Sequence, residues 1–174
     1  MRANLSIRDG TPEELARLGA LLVRVYAGLP GFPTREEQPR YYDMLAQVGA
    51  FADKPAARVL VALSAAGELL GGVVYFGDMA QYGSGGAATA QANASGIRLL
   101  GVDPAARGQG VGQALTRACI ALARQAGHSQ VILHTTKAMQ TAWAMYEKMG
   151  FARSEDLDFR QQELAVYGFR LMLG

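Results

Sequence analysis

The stretch Leu99-Leu100-Gly101-Val102-Asp103-Pro104-Ala105-Ala106-Arg107-Gly108-Gln109-Gly110-Val111-Gly112, running into Gln113-Ala114-Leu115, decides how this chain is read. Its apolar start reads as the end of a strand, Asp103-Pro104 as a turn, and the glycines at 108, 110 and 112 as a loop that opens a helix. Glycine lets backbone approach a ligand closely. The first amides of a helix have no partner within it and carry the positive end of the helix dipole behind them. Together these make an anion site, and Arg107 on its rim can add a charge-assisted hydrogen bond to a phosphate oxygen. Two nucleotide motifs fail on the same letters. A P-loop needs Lys followed by Ser or Thr after the glycines, and Lys137-Ala138 cannot supply it. The dinucleotide pattern Gly-x-Gly-x-x-Gly meets Gln113 in one frame and Leu115 in the other, and no acid for a ribose follows about 20 residues on.

Downstream of this stretch the spacing predicts an amphipathic helix over 111–126, a strand at Gln130–Thr135, a helix over 139–149, and two last strands within 152–158 and 166–173. Upstream, residues 5–8 alternate as an edge strand does. Thr11-Pro12-Glu13-Glu14 then supplies an N-cap, a first-turn proline and first-turn acids for a helix over 12–26. The cluster Gly28-Leu29-Pro30-Gly31-Phe32-Pro33 ends it, and a shorter helix is expected over 36–48. Residues 58–65 and 68–76 read as two antiparallel strands about the turn Ala66-Gly67, and 97–102 as a further strand. Residues 79–95 carry no charge and are rich in Gly, Ala, Ser, Gln and Asn, which reads as a long flexible connection, a lid or a disordered loop. The sum is a single α/β domain over 1–174, with a mixed sheet and helices packed on its faces.

Composition narrows the function. With 174 residues, half of them hydrophobic, the chain can bury a core without cross-links, and a net charge of +2 argues against nucleic-acid binding. Cys119 has no partner for a disulfide, and two histidines without a Cys-x-x-Cys pair point to no structural zinc. The most apolar stretch, 59–76, is broken by Ser64, Gly67, Glu68 and Gly71-Gly72, so neither an export signal nor a membrane span is expected. A reducing cytoplasm is the expected compartment.

Arg107-x-x-Gly110-x-Gly112, preceded by Val102-x-Pro104, resembles the first signature of the GCN5-related N-acetyltransferase (GNAT) superfamily. Ala142-Trp143-Ala144-Met145-Tyr146-Glu147-Lys148-Met149-Gly150-Phe151, some thirty residues on, is similar to its second. The resemblance covers about 97–151 and implies a mostly antiparallel sheet flanked by helices, splayed between the fourth and fifth strands. It implies acetyl-coenzyme A as co-substrate and an acetyl group passed to a small-molecule or peptide amine, with no metal. Leu100, Gly101 and Val102 would then offer backbone to the pantetheine arm. Gly108, Gln109, Gly110, Val111, Gly112 and Gln113 would hold the phosphates beside Arg107. Tyr146 matches the family's general acid, since a phenol with an ordinary pKa of about 10 is protonated at neutral pH. Homodimers are common among look-alikes.

The chain departs from that family in two places. The family's glutamate base is replaced by Gly96, which leaves His134, a carboxylate from the N-terminal half, or bulk water to take the proton. Met139 stands where many relatives carry an asparagine against the coenzyme, with Gln140 as a neighbouring substitute. Cys119 reads as a small buried hydrophobe, and Arg153, Arg160 and Arg170 as solvated. Tyr26, Phe32, Tyr41 and Tyr42 serve either packing or an acceptor site. The rival readings are a non-catalytic acyl-coenzyme-A sensor, and a structural subunit whose glycine loop only starts a helix.

Overall fold

The computed structural model describes residues 4–83 and 85–174. Among the described residues eight strands form, β1 (Ser6–Asp9), β2 (Ala57–Leu63), β3 (Leu69–Phe76), β4 (Ala94–Val102), β5 (Gln130–Thr135), β6 (Ala152–Arg153), β7 (Phe159–Gln161) and β8 (Leu164–Met172). Along the sheet they run β1-β2-β3-β4-β5-β8-β6, with β7 also paired to β8. Every pairing is antiparallel except β4 with β5. Four α-helices among the described residues cover the sheet, α1 (Pro12–Ala27), α2 (Pro39–Ala46), α3 (Val111–Gln125) and α4 (Gln140–Lys148).

Alternation along the central strands explains why both sheet faces are covered. Val59, Val61 and Leu63 of β2, with Val74 and Phe76 of β3, pack beside Leu15, Leu18 and Leu22 of α1. Leu60, Ala62, Val73 and Tyr75 point the other way, onto Val111, Leu115 and Cys119 of α3. Truncating a fully buried leucine such as Leu18 or Leu115 to alanine costs roughly 2–5 kcal/mol in cores of this kind. Gly72 and Gly101 let α1 lie close, because a Cβ on either would overlap a leucine of that helix, Leu18 or Leu22. The entry to α1 is a capping box. The Thr11 hydroxyl accepts from the Glu14 amide and the Glu14 carboxylate from the Thr11 amide.

Several expectations shift. The second helix starts at Pro39, because Thr34 and Glu37 bond reciprocally in a turn before it, and a 3-10 turn at Val48–Asp53 follows and buries Phe51. The segment 79–95 is not an open loop over its described residues. Two 3-10 turns, Met79–Gln81 and Ala88–Ala90, bury Met79, Tyr82 and Ala88, and β4 already begins at Ala94. Within 152–158 only Ala152–Arg153 is strand; a 3-10 turn at Glu155–Leu157 seats Leu157 in the core, and β7 and β8 form a hairpin. Arg153 and Arg170 are half-buried in ion pairs with Asp158 and Asp156 rather than solvated, while Arg160 is exposed. No helix among the described residues is long and apolar enough to cross a membrane.

Candidate active site

The site lies where β4 and β5 part. Their parallel ladder runs from Ala94↔Gln130 to Ile97↔Leu133 and stops. Beyond it β4 continues to Val102 beside β3, while His134 and Thr135 of β5 pair with β8. The parting coincides with a bulge. β3 skips from Gly72 to Val74 against β4, and Leu99 adopts φ +59°, a left-handed conformation that costs a branched residue energy. The freed backbone of Leu100, Gly101 and Val102 therefore has no β5 partner. The Leu100 carbonyl accepts a hydrogen bond from the Tyr26 hydroxyl at 3.0 Å, which leaves its second lone pair available.

At the end of this edge the chain makes a 3-10 turn, Pro104–Ala106, capped by the Asp103 side chain, and reaches α3 through two left-handed glycines, Gly108 at φ +81° and Gly110 at φ +79°. A Cβ at either would meet nothing within 4 Å, so the space in front of them is open. Gly110 is the N-cap of α3 and no side chain caps it. The leading amides of the helix, at Val111, Gly112 and Gln113, thus lack a side-chain acceptor beside an exposed Arg107. Gly112 is ordinary helix, its would-be Cβ 3.4 Å from Met145 Sδ. This cradle fits a diphosphate.

A cleft of about 100 Å³, open to solvent, lies at the splay, lined by β4 from Ile97 to Leu100 and by His134 and Thr135 of β5. Tyr146 of α4, 5% exposed, forms part of its wall with Leu99, Leu100 and Met139. Burial, then the neighbouring Cys119 and Tyr82, pushes the Tyr146 hydroxyl above its ordinary pKa of 10 and keeps it protonated. Cys119 is itself fully buried, and burial raises its thiol, so it packs as a small apolar group.

His134 also faces the cleft, but both ring nitrogens are engaged. Nε2 lies 2.8 Å from the Leu157 carbonyl, which can only accept, so that nitrogen carries the proton. Nδ1 then accepts from the Tyr82 hydroxyl at 2.9 Å. Burial lowers the His134 pKa, and the Arg98 charge adds to that. Met139 takes the Thr135 hydroxyl on its sulfur at 3.5 Å, and the exposed Gln140 turns its amide to the Lys137 carbonyl at 2.7 Å. Thr136, in the same wall, has a buried hydroxyl with no partner among the described residues.

Tyr26, Phe32 and Tyr41 pack together with centroids 5.5–6.2 Å apart, Tyr26 and Phe32 edge to face and Tyr41 tilted against both, and line the cleft, whereas Tyr42 is buried with its hydroxyl on the Pro33 carbonyl. The aromatic group therefore divides between packing and lining. Sequence reasoning missed Tyr82 and Arg98. Tyr82 sat in a segment without periodicity. Arg98 was visible as a lone cation in an apolar strand, and that was its signal.

A mostly antiparallel sheet with one parallel, splayed pair, and a glycine-opened helix at the splay, defines the acyl-coenzyme-A N-acyltransferase fold. The sequence pattern of the acetyltransferase (GNAT) family matches residues 23–151, and the chain belongs to that family. A mycothiol acetyltransferase of Salinispora tropica is 38% identical over 112 residues, which is 62% of this chain and 34% of the relative. The chain thus spans about a third of that relative's length. Among solved structures, a GNAT-family acetyltransferase from Staphylococcus aureus superimposes with a TM-score of 0.74 at 14% identity, covering 98% of this chain and all of that one. PaiA N-acetyltransferase from Thermoplasma acidophilum, in complex with coenzyme A, gives 0.72 at 15% identity, covering 98% and 99%. At these identities the structural likeness concerns the fold.

Proposed function

We propose that the chain is one N-acetyltransferase domain that moves the acetyl group of acetyl-coenzyme A to an amine by direct attack in a ternary complex. One observation carries the reading: β4 leaves β5 at Ile97, and the same strand leads through left-handed Gly108 and Gly110 to an uncapped helix start. The first feature suits an amide-bearing arm and the second a diphosphate.

In this reading the amides of Val111, Gly112 and Gln113, with Gln109 and Arg107, hold the phosphates, and the edge Leu100-Gly101-Val102 takes the arm. Acetyl-coenzyme A, when bound, supplies an activated acetyl thioester. Tyr146 holds its proton at the hydroxyl and donates it toward the departing sulfur; a positioned acid contributes roughly a hundredfold to ten-thousandfold in rate. The open cleft lets the amine lose its proton to water, and the positive charge of Arg98 disfavours the ammonium form. His134 positions Tyr82 through its Nδ1 and so shapes the acceptor side.

Thermal unfolding with and without acetyl-coenzyme A tests the reading, with coenzyme A and NAD as controls. A ligand at a hundred times its Kd adds about 2.7 kcal/mol, a rise of several degrees. Both coenzyme A forms should raise Tm and NAD should not. No rise with either coenzyme A form would overturn the assignment.

A further inference from the structure

Arg98 stands apart from the other arginines. Arg8, Arg24, Arg58, Arg153 and Arg170 each pair with a carboxylate, and the remaining described arginines apart from Arg98 are exposed. Arg98 alone among the described residues is a half-buried arginine with no carboxylate within 4 Å. A guanidinium taken out of water without a counter-ion is costly unless something compensates it. Compensation within the chain is partial. Nη1 donates to the Tyr82 carbonyl at 2.9 Å, Nη2 lies 3.8 Å from Met44 Sδ, and the Phe51 and Tyr82 rings flank the group at 6.0 and 5.8 Å. These contacts fix the fork in one place. They leave donors on Nε and on both terminal nitrogens without an acceptor among the described residues.

The cleft it faces carries no counter-charge. No aspartate, glutamate or lysine lines it, and His134 is held neutral. The Arg98 charge is felt across the space: burial raises the Tyr26, Tyr41 and Tyr82 hydroxyls, Tyr41 to about 12, and in each case Arg98 pulls the other way. A polyamine, with its second ammonium, would find repulsion here and no carboxylate to balance it. An amine that brings its own anion would find a fixed, planar fork suited to two oxygens.

We propose that the acceptor is a small amine bearing a carboxylate, which the Arg98 guanidinium receives on the cleft wall so that the amine faces Tyr146. The inference rests on the acetyltransferase reading above and deepens it.

The test is thiol release from acetyl-coenzyme A with a panel of free L-amino acids, each paired with its carboxamide, and with spermidine as the polycation. The acids should be preferred over their carboxamides by roughly tenfold to a hundredfold in kcat/KM, the value of one charge-assisted bond. Arg98→Gln should collapse that ratio, chiefly through KM, while acetyl-coenzyme A still raises the variant's Tm. Should Arg98→Gln fail to fold, Arg98→Lys carries the test: an ammonium lacks the fork, so the ratio should fall severalfold. Carboxamides or spermidine used as well as the acids, or a ratio unmoved in a folded variant, would overturn the proposal and leave the acetyltransferase reading standing. Release with no amine at all would overturn both.

Discussion

A Cβ on Gly96 would lie 2.5 Å from Cδ1 of Tyr82, so the phenol ring occupies the space where a side chain at position 96 would sit. Met79 Sδ crowds the same point at 2.8 Å. Both neighbours come from the 3-10 turn Met79–Gln81 and its cap, and Tyr82 is fully buried against β4. The departure at Gly96 is therefore tied to the packing of the segment before β4.

From this contact we expect Gly96→Glu to destabilise the fold. Tyr82 is wedged between β4 and His134 and cannot move without losing its bond to Nδ1. Overpacking of this kind costs typically 1–3 kcal/mol, and a buried carboxylate adds to that. Denaturant unfolding of Gly96→Ala and Gly96→Glu should give a midpoint that falls from glycine to alanine to glutamate. A glutamate variant as stable as the parent would mean that the ring is free to swing away.

The loop proposed to hold the phosphates makes a different prediction, because Gly108 and Gly110 are needed there for backbone shape and not for space. Gly110→Ala places a Cβ at φ +79° with nothing near it, so only the left-handed penalty of about 1–2 kcal/mol applies. Relaxing it would tilt the leading amides of α3, and Kd for acetyl-coenzyme A should rise at least tenfold. Gly112→Ala, by contrast, meets Met145 Sδ at 3.4 Å, Val102 Cγ2 at 3.6 Å and Leu100 Cδ2 at 3.9 Å, all ordinary contacts in a helical turn, and should change stability and affinity little. Calorimetric titration of both variants separates the two roles; equal losses would contradict the assignment of the loop.

How much of this was legible in the letters follows from what each signal measures. The strand-turn-loop-helix order around Arg107 could be read because proline, glycine and helical periodicity act locally. The hairpin was legible for the same reason. The segment 79–95 was not, since Met79, Tyr82 and Ala88 are buried by tertiary contact within a glycine- and alanine-rich run that has no period. Arg153 and Arg170 were misjudged because their partners, Asp158 and Asp156, sit on a turn that only the finished sheet brings beneath them. Arg98 could be placed on a strand, but which helix and which cleft its face meets depends on the packing of α2 and of the 3-10 turn before β4.

Tyr146 is tested by removing one oxygen. Tyr146→Phe keeps the edge contact with Phe151, at 5.7 Å between ring centroids, and so should fold and bind acetyl-coenzyme A as before. Turnover should fall about a hundredfold, the lower end for a positioned acid, because a thiolate already leaves readily. Burial, with Cys119 and Tyr82 nearby, keeps this phenol protonated past its ordinary pKa of 10, so the wild-type rate should show no descending limb from Tyr146 below that pH. Full turnover in the phenylalanine variant would remove the acid from the mechanism.

The start of α1 gives stability a pH dependence whose sign can be worked out. Glu14 is held at about 2, first by the Arg8 side chain and then by the Thr11 amide, against an ordinary 4.5. Above about pH 4.5 the carboxylate is charged in folded and unfolded chains alike, and its contribution to stability is fully present. As the pH falls from there the unfolded chain takes up the proton first, so the contribution shrinks and is gone by about pH 2. Glu14→Gln should therefore unfold more readily than the parent at pH 7, and the two melting curves should converge between those limits. Because Arg8 is exposed, added salt should narrow the gap at pH 7 by screening the pair, while the part owed to the Thr11 amide remains. A gap that persists unchanged at pH 2 would show that glutamine at this position acts through helix propensity rather than through the carboxylate's charge.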